Sequence, residues 1–247
     1  STLTAKYHFQ DIIYVSSAMH DIIAHCKQAA KSDSSVMIYG ETGTGKELIA
    51  QSLHNASKRA NGPFLAINCA ALPEPLLESL LFGTERGSYT GAESRAGLFE
   101  QANHGTLLLD ELNSMNIIVQ SELLRVLQAG LVRRVCGVSE THVDVRVLSS
   151  INVPPYQAIA EGNLRQDLFY RLGVVNITVP PLRERREDIP LLAKQFIMEF
   201  NKKLGKNVST LHPDTLKLLQ EYHWPGNVRD FQHVIEPAMN IIPADCS

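Results

Sequence analysis

The chain has 247 residues, of which 44% are hydrophobic and 20% charged, and its formal net charge is −3. A chain of this size can bury a core without disulfides or a structural metal, and it suffices for one large α/β domain and a small second one. The slightly acidic balance excludes the basic excess of a stand-alone DNA-binding protein, and no apolar run of about 18 residues predicts a membrane span.

The cysteines and the N-terminus favour a cytoplasmic protein. None of the four cysteines forms a CxxC pair or a zinc-ligand spacing, so we expect reduced, mostly buried thiols at Cys26, Cys69, Cys136 and Cys246. The first six residues lack the apolar core of a signal peptide. The nine histidines include no HExxH motif, which leaves a metalloprotease unsupported.

In the first part of the chain, short apolar runs alternate with amphipathic segments. The runs predict buried strands at 35–39, 64–67, 106–109 and 143–151. Helical spacing predicts helices at 47–54 and at 117–129, the second of which is stopped by Gly130. This alternation predicts an α/β fold with a parallel sheet between two layers of helices.

Beyond residue 183 the pattern becomes wholly helical. One apolar stripe predicts a helix from residue 189 to the stop at Gly205, and a second helix follows Pro213. A third is expected to begin at Asn227, which would serve as its N-cap. We therefore divide the chain into an α/β subdomain at 1–182 and a helical lid subdomain at 183–247, and we expect a fragment of a longer protein, truncated before a DNA-binding domain.

Residues 40–46 match the phosphate-binding pattern G-x-x-x-x-G-K, between a predicted strand and a predicted helix. Its glycines let backbone N–H groups surround phosphates, and Lys46 supplies a positive charge. The alternative is a glycine-rich turn with a solvated lysine. The predicted nucleotide contacts are Gly40, Glu41, Thr42, Gly43, Thr44, Gly45, Lys46 and Glu47. Because Glu47 stands where a hydroxyl residue usually meets Mg²⁺, direct ligation of the metal from this loop is in doubt.

Two adjacent carboxylates, Asp110 and Glu111, end the apolar run at 106–109. Ligands of open α/β sheets bind at the carboxyl ends of the strands, so both side chains are expected beside the phosphates. Asp110 suits Mg²⁺, directly or through water, and Glu111 suits a general base. The alternative, an Asp-Glu N-cap of a short helix, is weakened by the phosphate-binding loop.

Several motifs in order resemble the AAA+ domain of bacterial enhancer-binding proteins, the activators of sigma-54 RNA polymerase. They lie at 40–47, 68–72, 81–83, 87–92, 105–111, 169–172, 180–185 and 224–229. The resemblance implies an AAA+ P-loop fold that binds ATP and Mg²⁺, and it makes Glu47 the usual residue after the lysine. Within the family, the chain looks similar to catabolic activators of Gram-positive bacteria, including arginine-utilisation regulators.

The loop Gly87, Ser88, Tyr89, Thr90, Gly91 and Ala92 is similar to the family's GAFTGA loop, which touches sigma-54. Considered alone, it could be an ordinary turn with a packed tyrosine. Ser88 and Tyr89 replace Ala and Phe, and Tyr89 keeps the aromatic ring. The resemblance implies contact with the sigma-54 RNA polymerase holoenzyme through residues 87–92.

Further roles are implied by the resemblance, residue by residue. Asn68 matches a switch asparagine that holds Glu111 in one nucleotide state, although a strand-end asparagine can also satisfy the local backbone. Asn152 matches a sensor near the γ-phosphate, with a strand-terminal turn residue as its alternative. Arg229 matches a second sensor, in the lid. His104 stands where the family usually has glycine.

Arg165 and Arg171 match arginine fingers that reach the γ-phosphate of a neighbouring subunit. Without the resemblance, both would be interpreted as solvated basic residues on a helix. The resemblance implies a homo-oligomeric ring, most simply a hexamer, that remodels the closed promoter complex. Two other hypotheses remain open: a different AAA+ remodelling ATPase, and a nucleotide-binding regulator with little turnover.

Overall fold

The computed structural model describes residues 4–87 and 93–243, in which strands and helices alternate up to residue 178. The strands are β1 (Val36–Tyr39), β2 (Phe64–Asn68), β3 (Gly83–Thr84), β4 (Arg95–Ala96), β5 (Thr106–Asp110), β6 (Leu131–Arg133), β7 (Glu140–His142), β8 (Arg146–Ile151) and β9 (Val175–Thr178). The helices are α1 (Ser17–Ala30), α2 (Lys46–Asn55), α3 (Glu74–Phe82), α4 (Leu98–Gln101), α5 (Ile117–Ala129), α6 (Pro155–Ala160), α7 (Gln166–Leu172), α8 (Ile189–Leu204), α9 (Pro213–Glu221) and α10 (Asn227–Ile241).

Five parallel strands form the central sheet in the order β2-β5-β8-β1-β9. Successive side chains of a strand point to opposite faces, so Val36 and Ile38 join one apolar core while Met37 joins the other. Burial on both faces explains why these strands are continuous apolar runs. The predicted α/β fold with a parallel sheet and a helical lid is confirmed.

The predicted strand at 143–151 is too long at its start. The peptide N–H of Val143 donates to the Gly130 carbonyl (3.0 Å), and that of Asp144 donates to Asn103 Oδ1 (2.8 Å). Because these groups are used outside the sheet, β8 begins only at Arg146. Residues 143–145 connect β8 to the antiparallel hairpin of β6 and β7, which ends at His142.

Two predicted helix ends are confirmed, and one predicted cap is wrong. Gly130 and Gly205 follow α5 and α8 with φ of +66° each, a conformation that glycine adopts without strain. Helix α10 does begin at Asn227, but its N-cap is Gly226. The buried Asn227 side chain instead accepts a hydrogen bond from the Leu182 N–H (2.8 Å), so it holds the chain that leads into the lid.

A third apolar core begins at Leu182 and is made by the lid helices. Trp224 lies at its centre, where its ring packs edge-on against Phe231 and its indole N–H donates to the Leu219 carbonyl (2.6 Å). Satisfying that N–H lets the large ring be buried at little polar cost. The domain division at residue 183 stays a prediction, although a separate core from Leu182 onward agrees with it.

The remaining predictions on cysteines and membranes can be compared with the described residues. Cys26 and Cys69 are buried free thiols, Cys136 is exposed, and Cys246 lies outside the described residues. Burial raises the pKa of Cys26 and of Cys69 to about 12. Across residues 4–87 and 93–243, no helix combines the length and apolar character that crossing a bilayer requires.

Candidate nucleotide-binding site

The loop at 40–46 joins β1 to α2, as predicted. Gly43 and Gly45 have φ of +83° and +95°, where an L side chain would be strained. The Lys46 side chain is buried, and its Nζ donates to the carbonyls of Gly40 (2.6 Å) and Glu41 (3.0 Å). Burial lowers the pKa of Lys46, and the negative charges of Asp110 and Glu111 oppose that shift. The loop thus presents a cation held close to two carboxylates.

Asp110 is the last residue of β5 and Glu111 follows it, so both lie at the carboxyl end of this strand. The Ser150 hydroxyl, on β8, donates to Asp110 Oδ1 and accepts from the Glu111 N–H (3.1 Å). Glu111 has φ of +53° and ψ of +52°, a left-handed conformation that is uncommon for glutamate. Strained backbone of this kind concentrates at functional sites.

Lys46, Asp110 and Glu111 all line one cleft of about 780 Å³. The same cleft is also lined by apolar side chains from the N-terminal part of the chain and from the lid: Ile12, Ile13, Met19, Leu192, Phe196 and Val228. The charged residues of the lining therefore suit phosphates, and these apolar residues, which form the apolar wall of the cleft, suit a flat apolar group such as a nucleobase. The sequence did not predict this wall, because its residues come from both ends of the chain and share no local pattern.

Glu47 supports the wall indirectly. Its carboxylate accepts a hydrogen bond from Gln51 Nε2 (3.2 Å), and Gln51 Oε1 accepts from the N–H groups of Lys6 (2.8 Å) and Tyr7 (3.3 Å). Thus Glu47 helps to fix the N-terminal segment that closes the cleft.

The oxygen donors beside Lys46 fit a magnesium ion. Asp110 and Glu111 offer hard carboxylate oxygens at the phosphate end of the cleft. The described residues include no cluster of three or more histidine, cysteine or acidic side chains that could hold a metal by themselves. Mg²⁺ typically binds through one or two carboxylates together with water and substrate phosphates, and this donor set matches that pattern.

Asn68 and Asn152 lie near Asp110 along the same edge of the sheet. Asn68 ends β2 directly opposite Asp110 in the strand register, and Asn152 follows β8 on the other side. Asn68 Oδ1 accepts from the Ala70 N–H (2.9 Å), which is the local arrangement that was its alternative interpretation. Asn152 Oδ1 accepts from Asn113 Nδ2 (3.0 Å). Both side chains thus have local partners here.

Arg229 is the lid residue that reaches the phosphate end of the cleft. It follows the start of α10, lines the cleft, and its charge contributes to the lowered pKa of Lys46. Its peptide N–H donates to the Gly43 carbonyl (3.3 Å). A cation at this position can sense the charge bound in the loop.

The two candidate arginine fingers lie elsewhere. In the described part of the chain, the lining of the cleft includes neither Arg165 nor Arg171. Arg165 precedes α7 rather than lying on it. Its guanidinium donates two hydrogen bonds to the Asp167 carboxylate, from Nε to Oδ1 (3.0 Å) and from Nη2 to Oδ2 (2.8 Å). Arg171 Nη2 donates to the Leu127 carbonyl (2.8 Å). Both arginines are therefore on a surface separate from their own cleft.

A buried glutamine positions the backbone at Arg165. Gln120, fully buried in α5, donates through Nε2 to the carbonyls of Met115 (2.8 Å) and Asn163 (2.9 Å). Its Oε1 accepts from the Arg165 N–H (2.9 Å). No sequence motif includes Gln120, although a polar side chain on the apolar face of a predicted helix is a signal that could have found it.

His104 has a structural explanation. Its φ is +64°, in the left-handed region where glycine is unstrained, so a glycine preference at this position has a backbone cause. Its N–H donates to the Asp144 carbonyl (2.7 Å), and its Nδ1 lies 3.6 Å from Asp144 Oδ2. These contacts to one residue compensate part of the strain.

Of the candidate partner-binding loop, only Gly87 can be described, with φ of +92°, and Ser88, Tyr89, Thr90, Gly91 and Ala92 lie outside the described residues. The base of the loop is held by the hairpin of β6 and β7. Arg134 on that hairpin bonds Glu85 (3.0 Å) and Glu100 (2.9 Å).

Comparison with known proteins identifies the family to which the chain is similar. A family model described as the sigma-54 interaction domain matches residues 12–178, and one described as the AAA+ ATPase lid domain matches residues 183–246. The chain is 50% identical to the transcriptional activator RocR of Bacillus subtilis over 97% of its length, and 47% identical to the regulatory protein AtoC of Escherichia coli over 96%. It spans 52% of each of these relatives.

Solved structures give the same picture. The chain is similar to NtrX from Brucella abortus, crystallised in complex with ATP, with a TM-score of 0.88 and 38% identity over 95% of this chain and 51% of that one. The NtrX complex with ADP gives a TM-score of 0.89 at 37% identity, over 96% of this chain and 52% of that one.

Proposed function

The chain belongs to the family of sigma-54 interaction domains, here followed by an AAA+ lid, and on that premise we propose that it hydrolyses ATP to remodel a sigma-54 transcription complex. The observation that carries the proposal is the cleft itself. Its lining combines a buried lysine and two carboxylates with an apolar wall. The ATP complex of the similar NtrX chain supports nucleotide binding.

The phosphate loop would bind the nucleotide by exchanging internal contacts for phosphate contacts. Lys46 would leave the carbonyls of Gly40 and Glu41 for the β- and γ-phosphates, so that bonds from a cation to neutral acceptors are replaced by bonds between opposite charges. Backbone N–H groups of the loop would face the phosphates at the start of α2. Asp110 would hold Mg²⁺, which when bound neutralises charge on the phosphate oxygens.

Glu111 is proposed to orient the attacking water and to accept its proton. Its left-handed backbone turns the carboxylate at the end of β5 into the cleft, and the Ser150 hydroxyl holds its N–H. Asn68, on the neighbouring strand, would hold Glu111 in one nucleotide state and the Ala70 backbone in the other. Asn152 and Arg229 would report the γ-phosphate to the sheet and to the lid.

The site would be completed by a second copy of the chain. Arg165 and Arg171 are outside their own cleft but exposed enough to meet a partner's γ-phosphate. A repeated head-to-tail contact forms a ring when its rotation closes, and we propose a closed hexamer. Residues 87–92 would then carry the ATP state to sigma-54 of the polymerase holoenzyme in the cytoplasm, while DNA would be bound by a part of the protein outside this chain.

The test of turnover is ATPase activity as a function of protein concentration. A shared site predicts specific activity that rises as subunits assemble and then reaches a plateau. Activity that stays near zero at every concentration would favour a nucleotide-binding regulator instead.

The test of the partner is Thr90→Ala in the loop at 87–92. We expect the variant to keep its ATPase activity and to lose sigma-54 binding in a pull-down with purified sigma-54. Unchanged binding would favour a different AAA+ remodelling ATPase. Thr210→Ala, at an exposed threonine of the lid, is the matched control.

A further inference from the structure

Glu41 belongs to the phosphate loop, but its side chain is turned toward the lid. Its two carboxylate oxygens accept a fork of hydrogen bonds from Arg183, at 2.8 Å from Nη1 and 2.6 Å from Nη2. These bonds lower the pKa of Glu41, with help from Asn227, and raise the pKa of Arg183. A bidentate arginine–carboxylate pair is directional as well as attractive, so it fixes how the two segments face each other.

Asn227 adds a second link at the same place. Its side chain is fully buried, and its Nδ2 donates to Glu41 Oε2 (3.2 Å) and to the Thr42 carbonyl (3.1 Å). Its Oδ1 accepts from the Leu182 N–H (2.8 Å). One amide therefore joins the phosphate loop, the entry to the lid and the start of α10. Asn227 has φ of +55°, a conformation that asparagine tolerates better than most residues.

The backbones also meet directly. A side-chain carbon built on Gly43 would lie 2.2 Å from the Gly226 carbonyl oxygen, so only glycine permits this approach. Arg229 stands two residues after Asn227 and lines the cleft. Residues two apart on a helix face different directions, so the first turn of α10 holds the phosphate loop with Asn227 and faces the nucleotide with Arg229.

We propose that Glu41, Arg183 and Asn227 form a clasp that couples the phosphate loop to the lid, with Glu41 as a positioning residue rather than a nucleotide ligand. The inference rests on the proposed function, because it concerns the same nucleotide site. A carboxylate that faced the phosphates would repel them. Because Glu41 instead bonds residues of the lid, a shift of the phosphate loop on nucleotide binding would also shift the lid. The side chains of Arg183 and Glu41 remain 36% and 34% exposed, so this pair can open at modest cost while Asn227 stays buried.

The experiment is a double-mutant cycle on the clasp, measured by titration with fluorescent ADP and ATP analogues. Glu41→Gln and Arg183→Gln are each expected to weaken nucleotide affinity roughly three- to tenfold, the range expected for a partly exposed bidentate pair. The double variant is expected to be no weaker than the weaker single variant, because each change removes the same interaction. Arg183→Lys, which can keep one bond, is expected to be intermediate.

A second measurement separates coupling from simple stability. In nucleotide-bound protein, amide hydrogen exchange at residues 226–232 is expected to be faster in both single variants than in the parent. The matched control is Glu187→Gln, which removes an exposed carboxylate from the same segment and is expected to behave as the parent. Arg183→Lys serves as the mild variant if Arg183→Gln does not fold.

The outcomes are distinct. Parent-like affinity and exchange in the single variants, or effects that add fully in the double variant, would overturn the clasp. A parent chain that fails to bind either analogue would overturn the proposed function, and the clasp with it. Binding by the parent together with a non-additive cycle and faster exchange supports both.

Discussion

The two halves of the proposed active site are held in different ways. Lys46, Asp110 and Glu111 are fixed in their cleft by backbone geometry and by the Ser150 hydroxyl. Arg165 and Arg171 lie on another surface, where they bond Asp167 and the Leu127 carbonyl of their own chain. One half is preorganised in a single chain. The other consists of the half-buried Arg165 and the exposed Arg171, whose present hydrogen-bond partners a phosphate could replace. From this difference we expect that a single subunit binds nucleotide and depends on a second subunit for the transition-state contacts.

The largest expected effect comes from the arginine surface. Arg165→Ala and Arg171→Ala should each lower kcat by roughly 10³- to 10⁵-fold, the loss typical of a missing arginine finger. Nucleotide affinity of the dilute protein should change little, because neither side chain lines its own cleft. Steady-state ATPase assays and analogue titrations measure the two quantities. Arg125→Ala, on an exposed part of α5, is the matched control, and a loss of affinity equal to the loss of kcat would contradict the division into two halves.

The preorganised half should respond in two different ways. Lys46→Ala should abolish nucleotide binding, because it removes the buried cation at the phosphate end. Glu111→Gln should bind ATP with near-parent affinity and lower kcat by roughly 10²- to 10⁴-fold, as expected when a general base is lost. Titration and single-turnover hydrolysis separate the two. Equal hydrolysis by Glu111→Gln and the parent would refute the role given to Glu111.

Gln120 tests how the arginine surface is supported. Gln120→Leu leaves the carbonyls of Met115 and Asn163 and the Arg165 N–H without their partner, which should cost about 1–3 kcal/mol of folding free energy. The ATPase plateau should fall while nucleotide affinity of the dilute protein holds. Urea unfolding gives the stability change. A fall in nucleotide affinity without a fall in kcat would contradict this role and would assign Gln120 to the preorganised half.

The smallest effect is a pH dependence of the preorganised half. His54 at the end of α2 is buried, and its Nδ1 lies 2.8 Å from Thr106 Oγ1 on β5, so it joins the phosphate-loop helix to the carboxylate strand. Burial lowers the pKa of His54 below 6.5, so the unfolded chain takes up a proton before the folded protein does. Stability should therefore be unaffected above about pH 6.5 and fall as the pH drops below it.

Melting temperatures between pH 8 and pH 5 measure this effect. The fall should be smaller in His54→Gln, which has no ionisable ring. Carboxylates with lowered pKa values, such as Glu41, lose their contribution only at lower pH and should not contribute in this window. An identical fall in the parent and in His54→Gln would rule out His54 as the cause.

Much of the preorganised half could be predicted from local sequence. A glycine-rich loop and an apolar strand that ends in Asp-Glu are contiguous patterns, and helix α5 ends before Gly130 as its pattern indicates. The predicted start of β8 is wrong because the apolar Val143 continues the strand pattern in sequence, whereas the N–H groups of Val143 and Asp144 bond outside the sheet. Their partners are far away in sequence, where periodicity carries no information.

The lid contacts were out of reach for the same reason. Glu41 pairs with Arg183, 142 positions away, and with Asn227, 186 positions away. Asn227 satisfied every local rule for an N-cap, yet the tertiary contact took its side chain. Likewise the apolar wall of the cleft combines Ile13 with Phe196, which no single motif contains. Local patterns predicted the phosphate end of the site, and the chain's long-range packing decided the rest.

The shared site is tested most directly by mixing two variants that are each inactive. Glu111→Gln keeps its arginines, and Arg165→Ala keeps its Glu111, so an interface between them can unite one intact half from each. In a randomly mixed ring at equal amounts, roughly a quarter of the interfaces would be intact, and ATPase activity should return to a comparable fraction of the parent. A mixture that stays as inactive as its components, although both variants assemble, would contradict a site built from two subunits.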